Sequence, residues 1–149
     1  MNRIPLAAAA LAVALALMPA ASAQTTGAAP AATLYQTFGE LPGLQRLAQN
    51  LVARAAADPR IASIFEKTDK AELAKSLSVQ FCSLLQGPCK YEGPNMKQAH
   101  RDLGIAPAHF NALVEDLQLA MDAQGIPFSA QNRFLALLAP MHRDIIERP

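Results

Sequence analysis

The chain has 149 residues, 52% of them apolar and 17% charged, with no tryptophan and a formal net charge of +1. That length suits one domain with a tail and a substantial core, and the apolar share excludes a disordered chain. Lys and Arg are scattered, with no run beyond a pair, so the basic stripe of a nucleic-acid surface is excluded.

Residues 1–23 read as a secretory leader. Met1-Asn2-Arg3 carries the only charge of that stretch, and Leu6 to Met18 is almost entirely Ala, Leu and Val. Ala21-Ser22-Ala23 then places small residues where a signal peptidase cuts. The apolar run is too short for a transmembrane helix, which needs roughly 20 residues, so no stable membrane insertion is expected after cleavage. Removing Arg3 also removes the excess positive charge. The expected location is the periplasm or another exported space. Residues 24–33 are small and polar and read as a flexible lead-in, which leaves 34–149 as the expected folded domain.

Beyond Leu34, Ala and Leu dominate and β-branched residues are scarce, so helices are predicted throughout. Leu44, Leu47, Leu51, Val52 and Ala55 fall at helical spacing behind Pro42, the expected helix start. Asp58-Pro59 ends that helix and opens a short one through Phe65. Asp69 with Glu72 predicts a capping box, and the helix it opens sets Leu73, Leu77, Phe81, Leu84 and Leu85 on one face. Gly87-Pro88 stops it.

Cys82 and Cys89 flank that stop. In an oxidising compartment an isolated pair is most simply a disulfide. A redox pair or a set of metal ligands are the alternatives, but the spacing is wider than C-x-x-C and no second Cys or His pair completes a zinc site.

Tyr91 to Asn95 is loop, because it contains Gly93 and Pro94. A short helical piece, Met96 to Leu103, is predicted to end at Gly104. Pro107 opens a long helix with Phe110, Leu113, Val114, Leu117, Ala120 and Met121 as its apolar stripe. Gly125 and Pro127 close it. Ser129 is the expected cap of a last helix with Phe134, Leu137, Leu138, Met141 and Ile145 inward.

No Ser/His/Asp or paired-carboxylate arrangement stands out. Of the three histidines, His109 on a helix first turn and His142 beside Arg143 read as solvated. His100 lies on the short piece between a Gly/Pro loop and Gly104. Taken alone it reads first as a surface or capping histidine. A neutral imidazole so placed could also point into an apolar cleft and ligate iron.

The stretch Leu34 to Ile146 resembles the group 1 truncated haemoglobins, small two-over-two helical globins. Leu34-Tyr35-Gln36-Thr37-Phe38-Gly39 is similar to the family's opening, and Ala57-Asp58-Pro59-Arg60-Ile61 with Ile64-Phe65 to its "ADPRL…FF" connection. Gly87-Pro88, Tyr91, Gly93 and Met96-Lys97-Gln98-Ala99-His100 resemble "GGP-x-x-Y-x-G-x-x-M-x-x-x-H". Leu103-Gly104-Ile105 with His109-Phe110, and Leu138-Ala139-Pro140, resemble its "LGI…HF" and "APL" regions. Exported members carrying a "C…GPC-x-Y" segment are similar at the cysteines.

The resemblance implies an all-α truncated globin fold, a two-over-two sandwich around haem b, with His100 as the proximal iron ligand. Phe65 would press on the haem face and Thr68 would lie near a propionate. Leu73 and Leu77 would occupy the distal positions. Tyr91, Met96, Leu103, Ile105 and Phe110 would line the proximal side and the edge. No C-x-x-C-H is present, so covalent attachment is not expected. The implied function is reversible binding of a diatomic gas: oxygen, carbon monoxide or nitric oxide. Nitric-oxide dioxygenation or peroxidase-like turnover would require a distal polar group or a reductase partner, and a haem carrier is the remaining alternative.

The chain also departs from the family pattern. Its double glycines become Gly39-Glu40 and Gln86-Gly87, so the first tight turn is expected to differ slightly. The usual distal Tyr falls on Val52, and Ser76 stands where some members place a second histidine. Gln80, one turn beyond Leu77, is the one obvious polar side chain that could reach the pocket.

Overall fold

Thr33 starts the folded chain. Its hydroxyl accepts from the Gln36 amide at 3.2 Å while the Gln36 side chain accepts from the Thr33 amide at 2.9 Å, a reciprocal cap on α1 (Leu34–Thr37). The computed structural model describes residues 32–147, so the expected leader (1–23) and all but the end of the lead-in (24–33) lie outside the described residues.

α2 (Glu40–Ala57) begins ahead of the expected Pro42 start, with Gly39 as its cap. Pro42 sits in the first turn, where its missing N–H has no helical partner to lose. Gly39 and Glu40 are both left-handed, with φ of 77° and 56°. Gln86, the other residue standing in place of a family glycine, is left-handed as well at φ 59°. Glu40 and Gln86 thus adopt the left-handed conformation that glycine takes freely, and these non-glycine residues carry the strain. Gly43 is obligatory for a different reason: a Cβ there would lie 1.9 Å from the Phe38 carbonyl oxygen.

Arg60 pairs with Asp58 as the chain leaves α2, and a 3-10 turn over Ala62–Phe65 follows. Asp69 caps α3 (Lys70–Leu84) by accepting from the Ala71 and Glu72 amides at 2.9 and 3.1 Å. The expected box is one-sided, because the Glu72 carboxylate faces Lys75 at 3.6 Å. Cys82 and Cys89 form the expected disulfide, with their Cα atoms 5.7 Å apart.

α4 (Met96–Ala99) is a single turn and does not reach Leu103 as expected. The chain breaks off at His100, and Asp102 is left-handed at φ 63°, a conformation that ends any helix. α5 (Pro107–Ala123) follows the prediction closely, whereas α6 (Phe128–Leu138) differs at both ends. The cap of α6 is Pro127, not Ser129: the Pro127 carbonyl accepts from Ala130 and Gln131 at 2.8 and 3.0 Å, so the helix is under way before Ser129. The predicted continuation to Ile145 is broken by Pro140 into a 3-10 turn (Ala139–Met141) and α7 (His142–Ile145). Leu137, expected inward, is 41% exposed.

Two layers of helices, α2 with α3 and α5 with α6, share one core. Leu44, Leu47, Ala48 and Leu51 of α2 meet Phe81 and Cys82 of α3, Leu117 and Met121 of α5, and Phe134 of α6. Phe134 is fully buried and takes the rings of Phe38 and Phe81 edge-on, each at 5.0 Å. Such aromatic pairs add about 0.5–1.5 kcal/mol each beyond their burial. Among the described residues there is no strand, and no helix is long and apolar enough to cross a membrane.

Candidate cofactor site around His100

The segment before His100 is fixed by local chemistry. Asn95 accepts from the Gln98 amide at 2.9 Å, and the Gln98 side chain accepts from the Asn95 amide at 3.3 Å, which nucleates the one turn of α4. His100 closes that turn: its backbone N–H donates to the Met96 carbonyl at 3.1 Å. Its ring Nδ1 lies 2.8 Å from the same carbonyl oxygen. An oxygen acceptor there places the ring proton on Nδ1 and leaves the Nε2 lone pair free as a ligand. The imidazole is half-buried.

Among the described residues no three His, Cys, Asp or Glu side chains cluster to hold a metal ion. An iron bound here by one imidazole therefore needs the rest of its donors from a macrocycle, and the donor set fits haem rather than a bare ion.

The expected walls come from several elements. Phe65 ends the 3-10 turn and packs, with Ile64 and Leu113, on Ala55, Ile61 and Ala112. Thr68 is half-buried, and its amide donates to the Phe65 carbonyl at 3.2 Å. Leu73 and Leu77 share a face of α3, half-buried against the main core. Val52 is buried in the same core and offers no donor. Ile105 is buried. Phe110 is half-buried and meets the His142 ring edge-on at 4.8 Å. Leu103 stands apart, 44% exposed, because α4 ends before it.

Tyr91 fastens its own loop. Its hydroxyl donates to the Pro94 carbonyl at 2.9 Å, and its ring lies so close over Gly93 that a Cβ there would be 2.5 Å from the ring. Gln80 is buried and points to the α4 side, its Nε2 3.5 Å from the Met96 sulfur and 3.8 Å from that of Met141. A thioether is a weak acceptor, so this amide is held loosely for a buried polar group.

Sequence reasoning missed Met141 as the second partner of Gln80, the packing of His142 on Phe110, and Glu147. Glu147 reaches back to the loop after His100, accepting from the Asp102 and Gly104 amides at 2.6 Å each. No pattern in the sequence marks these contacts, since all three residues lie in short turns beyond Pro140.

The perturbed ionisable groups lie elsewhere, where α2 meets α5. Hydrogen bonds from Arg60 hold the Asp58 carboxyl below its ordinary range, and Asp58 and Glu115 in turn raise Arg60. Asp116 is buried with one carboxyl oxygen unpartnered. Burial first, and then the Asp58 charge, push its pKa up, against the pull of Arg60 and Arg54.

Residues 33–147 match the family model of the bacterial-like globins. A group 1 truncated hemoglobin of Mycolicibacterium paratuberculosis is 30% identical over 76% of this chain and 84% of its own length. One from a Nostoc species is 32% identical over 70% of this chain and 87% of its own. Among solved structures, the Fe(III) form of the truncated hemoglobin from Tetrahymena pyriformis superposes with a TM-score of 0.74 at 24% identity, covering 78% of this chain and all of that one. The 2/2 hemoglobin of Synechococcus sp. PCC 7002 does so with a TM-score of 0.73 at 22% identity, again over 78% of this chain. The chain belongs to the bacterial-like globins and, within them, to the group 1 truncated hemoglobins, a family whose cofactor is haem.

Proposed function

We propose that this globin is exported, binds haem b without a covalent link through His100 Nε2, and takes up a diatomic gas reversibly. The observation that carries this reading is the 2.8 Å contact from His100 Nδ1 to the Met96 carbonyl, which frees the other ring nitrogen for iron. His100 would hold the haem iron, and haem, when bound, would supply a metal centre able to take up a small gas.

The chain's own residues then decide selectivity. Phe65, Val52, Leu73 and Leu77, the residues that the family resemblance puts on the gas side, carry no hydrogen-bond donor among their side chains. A donor to a partly negative guest is worth roughly 1.5–3 kcal/mol, so its absence speeds oxygen release about ten- to a hundredfold. Carbon monoxide depends on such a donor less. These properties favour binding or sensing a gas over holding oxygen for chemistry.

The disulfide supports export, since such bonds persist in oxidising compartments. The N-terminus of the exported protein should lie at or near Gln24, and an intact leader in the mature form would contradict the reading.

The direct test is an absorption spectrum of the full mature chain titrated with haem, with and without reductant and carbon monoxide. Stoichiometric binding, a histidine-ligated ferrous spectrum and its replacement on adding carbon monoxide are expected. Failure to retain haem would overturn the proposal.

A further inference from the structure

The loop after His100 is held from the far end of the chain. Asp102 and Gly104 are left-handed, with φ of 63° and 64°, and their amides converge on one side chain. The Asp102 N–H donates to one Glu147 carboxylate oxygen and the Gly104 N–H to the other, each at 2.6 Å. The Glu147 amide then donates to the Ile105 carbonyl at 3.0 Å. Two N–H groups on an ionised acceptor make short, strong hydrogen bonds, and they offset the unfavourable backbone of a non-glycine residue at Asp102.

Among the described residues, the other hydrogen bonds that hold His100 run mainly upstream. Its backbone N–H and its ring Nδ1 both engage Met96, upstream. Downstream, the Leu103 amide reaches the His100 carbonyl only at 3.4 Å. The firm downstream hold is the Glu147 carboxylate. The segment that carries it is itself anchored, since Ile146 bonds back to the His142 carbonyl at 3.1 Å and the His142 ring sits on Phe110.

We propose that Glu147 is a positioning residue for His100. Its carboxylate clamps the chain just after the histidine and sets the direction in which Nε2 is presented to iron. This rests on the reading of His100 as the axial ligand.

The test is Glu147→Gln in the full mature chain. Glutamine keeps the size but has a single acceptor oxygen, so one of the two amide bonds is lost. In haem-free and haem-loaded protein, hydrogen exchange at the Asp102 and Gly104 amides should quicken about tenfold or more, with α2 and α5 unchanged. In loaded protein the ferrous iron–histidine stretching band should shift or broaden, and haem transfer to apomyoglobin should speed up about tenfold. Glu147→Asp, which keeps both acceptors on a shorter arm, should restore part of the protection and of the band. Unchanged exchange would overturn the clamp. Faster exchange with an unmoved band would overturn the positioning role, leaving a purely structural contact. The ligand reading fails separately, if the iron–histidine band survives His100→Ala.

Discussion

The two sides of the candidate haem site are held by different forces. The distal wall is made by long helices whose other faces build the core. Leu73 and Leu77 of α3 and Val52 of α2 belong to one core, which closes on the fully buried Phe134. The His100 side has one turn of helix and a loop. It is held by a capping box, a disulfide, a tyrosine hydroxyl and a carboxylate from the C-terminal segment. Apolar packing is cooperative and hard to move, whereas a set of separate polar and covalent ties can be cut one at a time. The difference teaches that in this globin the proposed gas-facing residues are fixed by burial and the proposed iron ligand by hydrogen bonding.

Cutting into each side should show the contrast. Phe134→Ala removes the ring on which Phe38 and Phe81 converge and should cost about 3–5 kcal/mol of global stability, read from denaturant midpoints. Replacing Cys82 and Cys89 together by Ser should cost about 2–3 kcal/mol in the chain-entropy picture. Its added exchange should concentrate around residues 85–95 rather than spread through α2 and α5. A uniform rise in exchange after the cysteine change would erase the distinction between the two sides.

The distal wall can be tested by giving it a donor. Val52→Tyr should slow oxygen release about tenfold in stopped-flow measurements, if its hydroxyl supplies the missing hydrogen bond. Gln80→Ala should leave release unchanged, because the Gln80 amide faces Met96 and Met141. Slow release in the native protein that becomes fast in Gln80→Ala would show that this amide serves the pocket.

The long helices were legible because their faces repeat. Leu44, Leu47 and Leu51, or Leu73 and Leu77, declare a buried stripe without any knowledge of what it meets. The resemblance singled out His100 by its spacing to Phe65, Tyr91 and Met96, and the disulfide was legible as an isolated cysteine pair behind an expected leader. The length of α4 was not, because helical propensity extends past His100 while the structure ends the turn with distant partners. Glu147 and His142 act across 43 and 32 positions of sequence, and neither belongs to a periodic face. At Glu40 and Gln86 the loss of glycine does not free the backbone, because the surrounding packing holds both residues left-handed.

A smaller effect is expected from Asp116 on α5. Its carboxyl is buried, one oxygen is unpartnered, and its pKa is raised in the folded protein above its unfolded value. The folded state therefore binds the proton more tightly, and stability from this group falls as pH rises through the interval between the two values. Asp116→Asn should remove that slope and be more stable than the native chain by about 1 kcal/mol at neutral pH. The gap should close as pH falls into the ordinary carboxylate range. Thermal melts across that interval check both signs.

Haem retention by His100→Ala tests the central claim most directly, with His109→Ala as the control. His109 is engaged at the start of α5, where its ring nitrogen accepts from the Ala106 amide at 3.3 Å, and its loss should leave haem binding intact. The account predicts that His100→Ala folds with native helicity, loses stoichiometric haem, and regains a ligated spectrum when imidazole is added. A histidine-ligated ferrous spectrum in His100→Ala without added imidazole would contradict it.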